Sequence, residues 1–172
     1  MRVAPGRWLS RFAEHLAEIS LPNTPEKRVV AANNAHDFVR RLRPRSVSNL
    51  KITIRLARSL LDVDRPSEAA DVMKEGAKRA AAISGPQSLW TWRWEMWAAY
   101  FCALAGQFSD AVELARHARL ISMNKLGRDH PKTVQVDRWV QEFEKGTVPP
   151  GLVYGGRHVR SPGPGAIWTI VE

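Results

Sequence analysis

The sequence predicts an all-α chain, a solenoid of stacked helix hairpins followed by an extended tail rich in proline and glycine. Three observations carry that reading. Apolar residues recur at three- and four-residue spacing from Leu9 to Phe143, the period of one helix face. Short polar breaks, most with proline or glycine, separate the runs, and no run before residue 145 has the alternation of a strand. The chain also matches itself at an offset of 42 residues, which sets Ser67, Glu68 and Ala69 on Ser109, Asp110 and Ala111.

The first predicted helix carries Leu9, Phe12, Leu16 and Ile19 on one face. LPNTPEK ends it, and Thr24 ahead of Pro25 starts a second, with Val29, Ala32, Ala35, Phe38, Val39 and Leu42 inward. A third holds Leu50, Ile54, Ala57 and Leu61, joined by Leu56, Leu60 and Val63. DRPSEA restarts a fourth on Ala69, Met73, Ala77 and Ala80. The fifth has Trp90, Trp94, Trp97, Phe101 and Leu104, and the sixth Ala111, Leu114, Ala118 and Ile121. A seventh, from about Pro131 to Lys145, buries Val136, Trp139, Val140 and Phe143.

The stretch KLGRDHPKT raises a question of chemistry, because Asp129 and His130 are adjacent. The offset of 42 answers it: Gly127 and Thr133 fall on Gly85 and Thr91 of ISGPQSLWT, which has neither Asp nor His. A repeated connector requires that echo, and a catalytic dyad does not. Gly127 is expected to end the sixth helix, Asp129 or His130 to cap the seventh, and Pro131 to sit in its first turn.

In WRWEMWAAYFCALAGQFSDAVELARHARLI, Ala99, Ala105-Gly106, Phe108, Ala111 and Ala118 stand where small and aromatic residues let two helices approach closely. On these residues the chain resembles the tetratricopeptide repeat proteins, in a long-period form, over about residues 8–145. The unit at 50–85 departs from the pattern: Asp64 takes the Gly place, Pro66 the aromatic place and Gly76 the second Ala place. The resemblance implies a right-handed α-solenoid of about three hairpins plus a closing helix. It also implies a protein- or peptide-binding scaffold without catalysis or cofactor. The domain boundary is expected at 145, with residues 146–172 as the tail.

Under that superposition the inward-curving face comes from the first helix of each hairpin. It would carry Lys51, Ile54, Arg58 and Leu61, then Arg93, Met96 and Tyr100, then Gln135, Arg138 and Glu142. Basic residues interleaved with apolar ones suit an extended peptide bearing carboxylates, which arginine binds through paired hydrogen bonds. The same charges would also serve as a solvated surface.

The formal charge of +9 agrees with an anionic partner, protein or nucleic acid. Arg40, Arg41, Arg43, Arg45, Lys51, Arg55 and Arg58 stand against Asp37 alone between residues 37 and 58. RRLRPR is dense enough for phosphate contacts, so a nucleic-acid-associated regulator using Arg40, Arg41, Arg43 and Arg45 is the alternative reading. Neither a nucleic-acid-binding signature nor tryptophans alternating with basic residues accompany it.

WTWRWEMWAAYF holds four of the seven tryptophans. Trp90, Trp94, Trp97 and Phe101 form a core stripe, while Trp92 and Met96 lie off it, open to the groove or to a second subunit. In the tail, LVY-GG-RHV reads as a hairpin on a Gly-Gly turn. AIWTIV, ending at Glu172, is apolar and β-prone, and is expected to dock into the chain's own groove or onto another subunit.

The five histidines show no metal or catalytic spacing, and no phosphate loop or nucleophile motif is present. One cysteine, Cys102, excludes an intrachain disulfide. With no signal peptide at MRVAPGRWLSRFAEHLAEIS and no run of ~20 apolar residues, the expected location is cytoplasmic, with no membrane partner.

Overall fold

The computed structural model describes residues 24–42, 50–149, 153–154 and 157–158. The predicted helix over Leu9–Ile19, together with Arg43, Arg45 and AIWTIVE, lies outside the described residues. Six helices follow one another: α1 (Pro25–Leu42), α2 (Leu50–Asp62), α3 (Pro66–Ser84), α4 (Leu89–Leu104), α5 (Phe108–Leu126) and α6 (Pro131–Glu144). They correspond to the second to seventh helices read from the sequence. Prolines open α1, α3 and α6, where the missing N–H has no helical partner to lose. After α6, strands β1 (Val153–Tyr154) and β2 (Arg157–His158) pair antiparallel, Val153 with His158 and Tyr154 with Arg157. That is the register expected of a two-residue turn.

The 42-residue period is built into the backbone. Helices α1, α3 and α5 end at Leu42, Ser84 and Leu126. Gly85 and Gly127 end α3 and α5 with φ 87° and 96° and extended ψ of 146° and 163°, a region closed to side chains with a Cβ. Each glycine carbonyl then accepts a hydroxyl from the following helix, Thr91 Oγ1 at 2.7 Å and Thr133 Oγ1 at 2.8 Å. Both threonines are fully buried.

The turns inside the hairpins repeat as well. Arg65 N–H donates to the Leu60 carbonyl and Gln107 N–H to that of Cys102, closing α2 and α4 in the same way. Between them Asp64 has φ 58° and Gly106 φ 73°. Aspartate tolerates the left-handed region better than most residues, so it fills the Gly place without changing the turn.

Each helix packs on its neighbours in the chain, and α4 lies between α3 and α5 at the centre. Trp97, Tyr100 and Phe101 are among the largest fully buried side chains, with Met73, Ile54, Ile121, Val136 and Phe143 around them. Ring contacts run from Trp97 to Phe101, Tyr100, Trp139 and Phe143 with centroids 5.7–6.2 Å apart, tying α4 to α6. Burial of each such side chain contributes roughly 1.5–3 kcal/mol.

Gly76 of α3 has its own reason. A Cβ built there would lie 2.2 Å from Cζ3 and 2.7 Å from Cε3 of Trp94, so the indole rests directly on the α3 backbone. On α1, Val29 and Val39 are buried, while Phe38, expected inward, is 46% exposed. One residue is a rotation of about 100° on a helix, so Val39 turned toward the core turns Phe38 away from it.

Candidate peptide-binding face

The predicted binding residues lie on α2, α4 and α6, and they differ in how far they are open to solvent. Arg58 and Arg93 are half-buried and Arg138 is exposed. Lys51 stands on α2 seven residues before Arg58, and Arg55 between them is half-buried. The guanidinium of Arg93 sits over the Trp90 ring, 5.7 Å from its centroid.

The apolar half of the prediction needs correcting. Ile54, Met96 and Tyr100 have no exposed surface and belong to the core, so they offer no open contact to a peptide. The tryptophan expected at a subunit contact is also inside. Trp92 is 2% exposed in the single chain and has the Lys132 ammonium of α6 over its ring at 5.5 Å. The physical reason is that α4 is apolar around its circumference, and such a helix is enclosed on every side. Of the core stripe, Trp94, Trp97 and Phe101 are buried and Trp90 is half-buried.

The electrostatics of these helices are one-sided. On α2 the acidic residue is Asp62, at the helix end, and on α4 it is Glu95. Glu95 is turned away to α5: His117 Nδ1 lies 2.7 Å from Oε1 and 2.8 Å from Oε2. Burial pushes the Glu95 carboxyl above the ordinary carboxylate range, and the His117 contact opposes that shift. With the carboxylate ionised, Nδ1 carries the proton and donates, while Nε2 faces the Gln87 side-chain amide at 3.5 Å.

On α6 the acids are likewise engaged elsewhere. Asp137 pairs with Arg119 of α5, and Glu144 with Arg116 at 2.6 Å. Glu142 accepts from the Thr147 hydroxyl at 2.6 Å, the main reason its carboxyl is held low. Lys74 of α3 bridges Asp71 and Asp110, both at 3.0 Å, joining α3 to α5.

The sequence reading missed the Glu95–His117 pair and the reach of Lys132. The pair is 22 residues apart on two helices, and no spacing rule connects such positions. The connector was read correctly: Gly127 ends α5, Pro131 opens α6 and His130 caps it, its Nδ1 accepting from Lys132 N–H at 3.2 Å. His130 therefore presents a lone pair to the helix end, which gives it a structural task.

Chemistry at the remaining candidates is constrained. Cys102 is fully buried and its thiol is pushed up to about 12 by burial, so it is not a thiolate near neutral pH. Burial raises Tyr100 to about 12 as well. Among the described residues no three His, Cys, Asp or Glu side chains stand together to hold a metal ion. No described helix is long and apolar enough to cross a membrane. A cleft of about 460 Å³ between α5 and α6, lined by Phe108, Val112, Arg116 and Phe143 among others, uses none of the predicted binding residues. No protein-family model matches the chain, and no curated protein matches it.

Proposed function

We propose that the chain is a non-catalytic protein-binding scaffold, a tetratricopeptide-like solenoid that engages extended acidic peptides through α2, α4 and α6. The observation that carries this reading is the charge asymmetry of α2 and α4. Lys51, Arg55, Arg58 and Arg93 lie on α2 and α4, where Asp62 ends its helix and Glu95 is held by His117. The repeated turn geometry supports the solenoid, because similar helix ends 42 residues apart would let each hairpin stack on the next in the same way. Arg58, Arg93 and Arg138 hold carboxylates, and the apolar edges that remain half-exposed, Trp90 and Leu104, supply contact area.

A fluorescent peptide with two glutamates flanked by leucines tests this by anisotropy. Binding that weakens at least tenfold on Arg58→Glu or Arg93→Glu supports the reading, and binding indifferent to both sinks it. A second reading, nucleic-acid association, is favoured by the exposure of Arg40 and Arg41 at the end of α1. It predicts binding to a DNA or RNA oligonucleotide that falls steeply with salt and is lost on Arg40→Glu with Arg41→Glu.

A further inference from the structure

The offset of 42 sets α5 and α6 on α3 and α4, and the two pairs differ in what lies beside them. It places Val112 on Ala70, Arg116 on Lys74, Asp137 on Glu95 and Val140 on Ala98. Beside the first pair sits α5, anchored at two points. Lys74 reaches Asp110 in its first turn at 3.0 Å, and Glu95 meets His117 seven residues further on. Between those anchors α5 turns Ala111, Ala115 and Ala118 inward, each 0% exposed, and Ala70 and Ala98 are equally closed.

The second pair has the same seam open. Two adjoining clefts of about 460 and 480 Å³ run along it and share Arg116 and Glu144. Among the described residues, α5 and α6 alone line them. Phe108 and Val112 are half-buried, Leu120 is 52% exposed, and Arg116 is open to solvent.

We propose, from the repeat rather than from the acidic-peptide face, that this seam seats a helix of a partner protein built like α5. That helix carries an acid in its first turn, small residues one, five and eight places after it, and a histidine or basic residue seven places after it. Charge supports the match, because the offset keeps the sign at both anchors: Lys74 becomes Arg116 and Glu95 becomes Asp137. The partner's acid meets Arg116 as Asp110 meets Lys74, and its basic residue meets Asp137 as His117 meets Glu95. Arg116 gives Nη2 to Glu144, and a guanidinium has further donors for a second carboxylate, just as Lys74 serves Asp71 and Asp110 together. The seat is more polar than its inner counterpart, with Arg119 for Ala77, Gln141 for Ala99 and Glu144 for Cys102. Such a rim suits a partner that binds and leaves, since dissociable interfaces are more polar than permanent ones.

The probe is a fluorescent peptide with the α5 sequence, Gln107–Leu126, added to the full chain and followed by anisotropy and by amide NMR. Saturable binding is expected, with shifts centred on Arg116, Asp137 and Glu144. Arg116→Glu in the chain and Asp110→Lys in the peptide are each expected to weaken binding about fivefold, the scale of an exposed ion pair. Combined, the two reversals are expected to restore most of the affinity. Arg58→Glu is expected to leave binding of this probe unchanged, so the seat and the acidic-peptide face fail separately. No saturable binding, indifference to Arg116→Glu, or no recovery in the paired reversal overturns the proposal. Shifts centred on Lys74 and Cys102 also overturn it, because the peptide would then have displaced the chain's own α5. So does a dimer in sedimentation that Arg116→Glu dissolves, which puts a second copy in the seat.

Discussion

Replacing Gly76 by alanine separates tertiary packing from helix propensity, because the two predict opposite signs. Propensity alone makes Gly76→Ala stabilising by about 1 kcal/mol in a helix interior. The structure puts the new methyl 2.2, 2.7 and 3.1 Å from three ring carbons of Trp94. Carbon atoms in contact settle near 3.5–4.0 Å, so the indole has to retreat by more than about 1 Å. Trp94 is 4% exposed and lies within the main core, so its retreat displaces other core side chains. Overpacking of this kind costs about 1–3 kcal/mol, and contacts this short belong at the upper end. The net effect is a loss of about 1–2 kcal/mol, which lowers a urea midpoint by roughly 0.5–1 M at an m-value near 2 kcal/mol/M. Trp94→Leu, made both alone and together with Gly76→Ala, supplies the control. Its cost should be smaller in the Gly76→Ala background than in wild type, with a coupling of about 1–2 kcal/mol. A Gly76→Ala variant as stable as wild type, or more stable, would refute the packing of α4 on α3 described above.

The echoed connectors make a matched prediction. Thr91→Ala and Thr133→Ala each remove one hydroxyl bond to a glycine carbonyl and should each cost about 1 kcal/mol in urea unfolding. A large cost at one site and none at the other would break the equivalence of the two hairpin junctions. His130→Ala removes the cap of α6 and should cost about 0.5–2 kcal/mol, while His130→Asn, which still accepts from the backbone, should retain most of it. For Glu95, a carboxyl raised in the folded state stabilises the fold below its unfolded value near 4.5, and that contribution is lost as pH rises through the folded value. Glu95→Gln has no such loss, so its stability relative to wild type should improve on going from pH 4 upward. A relative stability that falls over that interval would place Glu95 outside the buried pair.

The repeat was legible because its marks are local. A glycine forced to positive φ and a threonine six residues on, bonded to its carbonyl, leave a pair of letters that recurs intact 42 residues later. Asp64 shows the limit of letter matching, since the turn persists where the glycine does not. Burial on α4 was not legible, because a helix apolar on all sides gives no face for periodicity to pick out. Trp92, Met96 and Tyr100 therefore looked available and proved enclosed. Glu95–His117 and Lys132 over Trp92 depend on which helices become neighbours, information that exists only once the helices pack.

The claim that binding runs through α2, α4 and α6 is tested most directly by an NMR titration of the full chain with the acidic peptide. Both backbone amides and arginine Nε–H groups would be followed. Shifts are expected to concentrate at Arg55, Arg58, Arg93 and Arg138, with α3 and α5 largely silent. Shifts centred on Arg40 and Arg41 at the end of α1, with α4 unmoved, would contradict it.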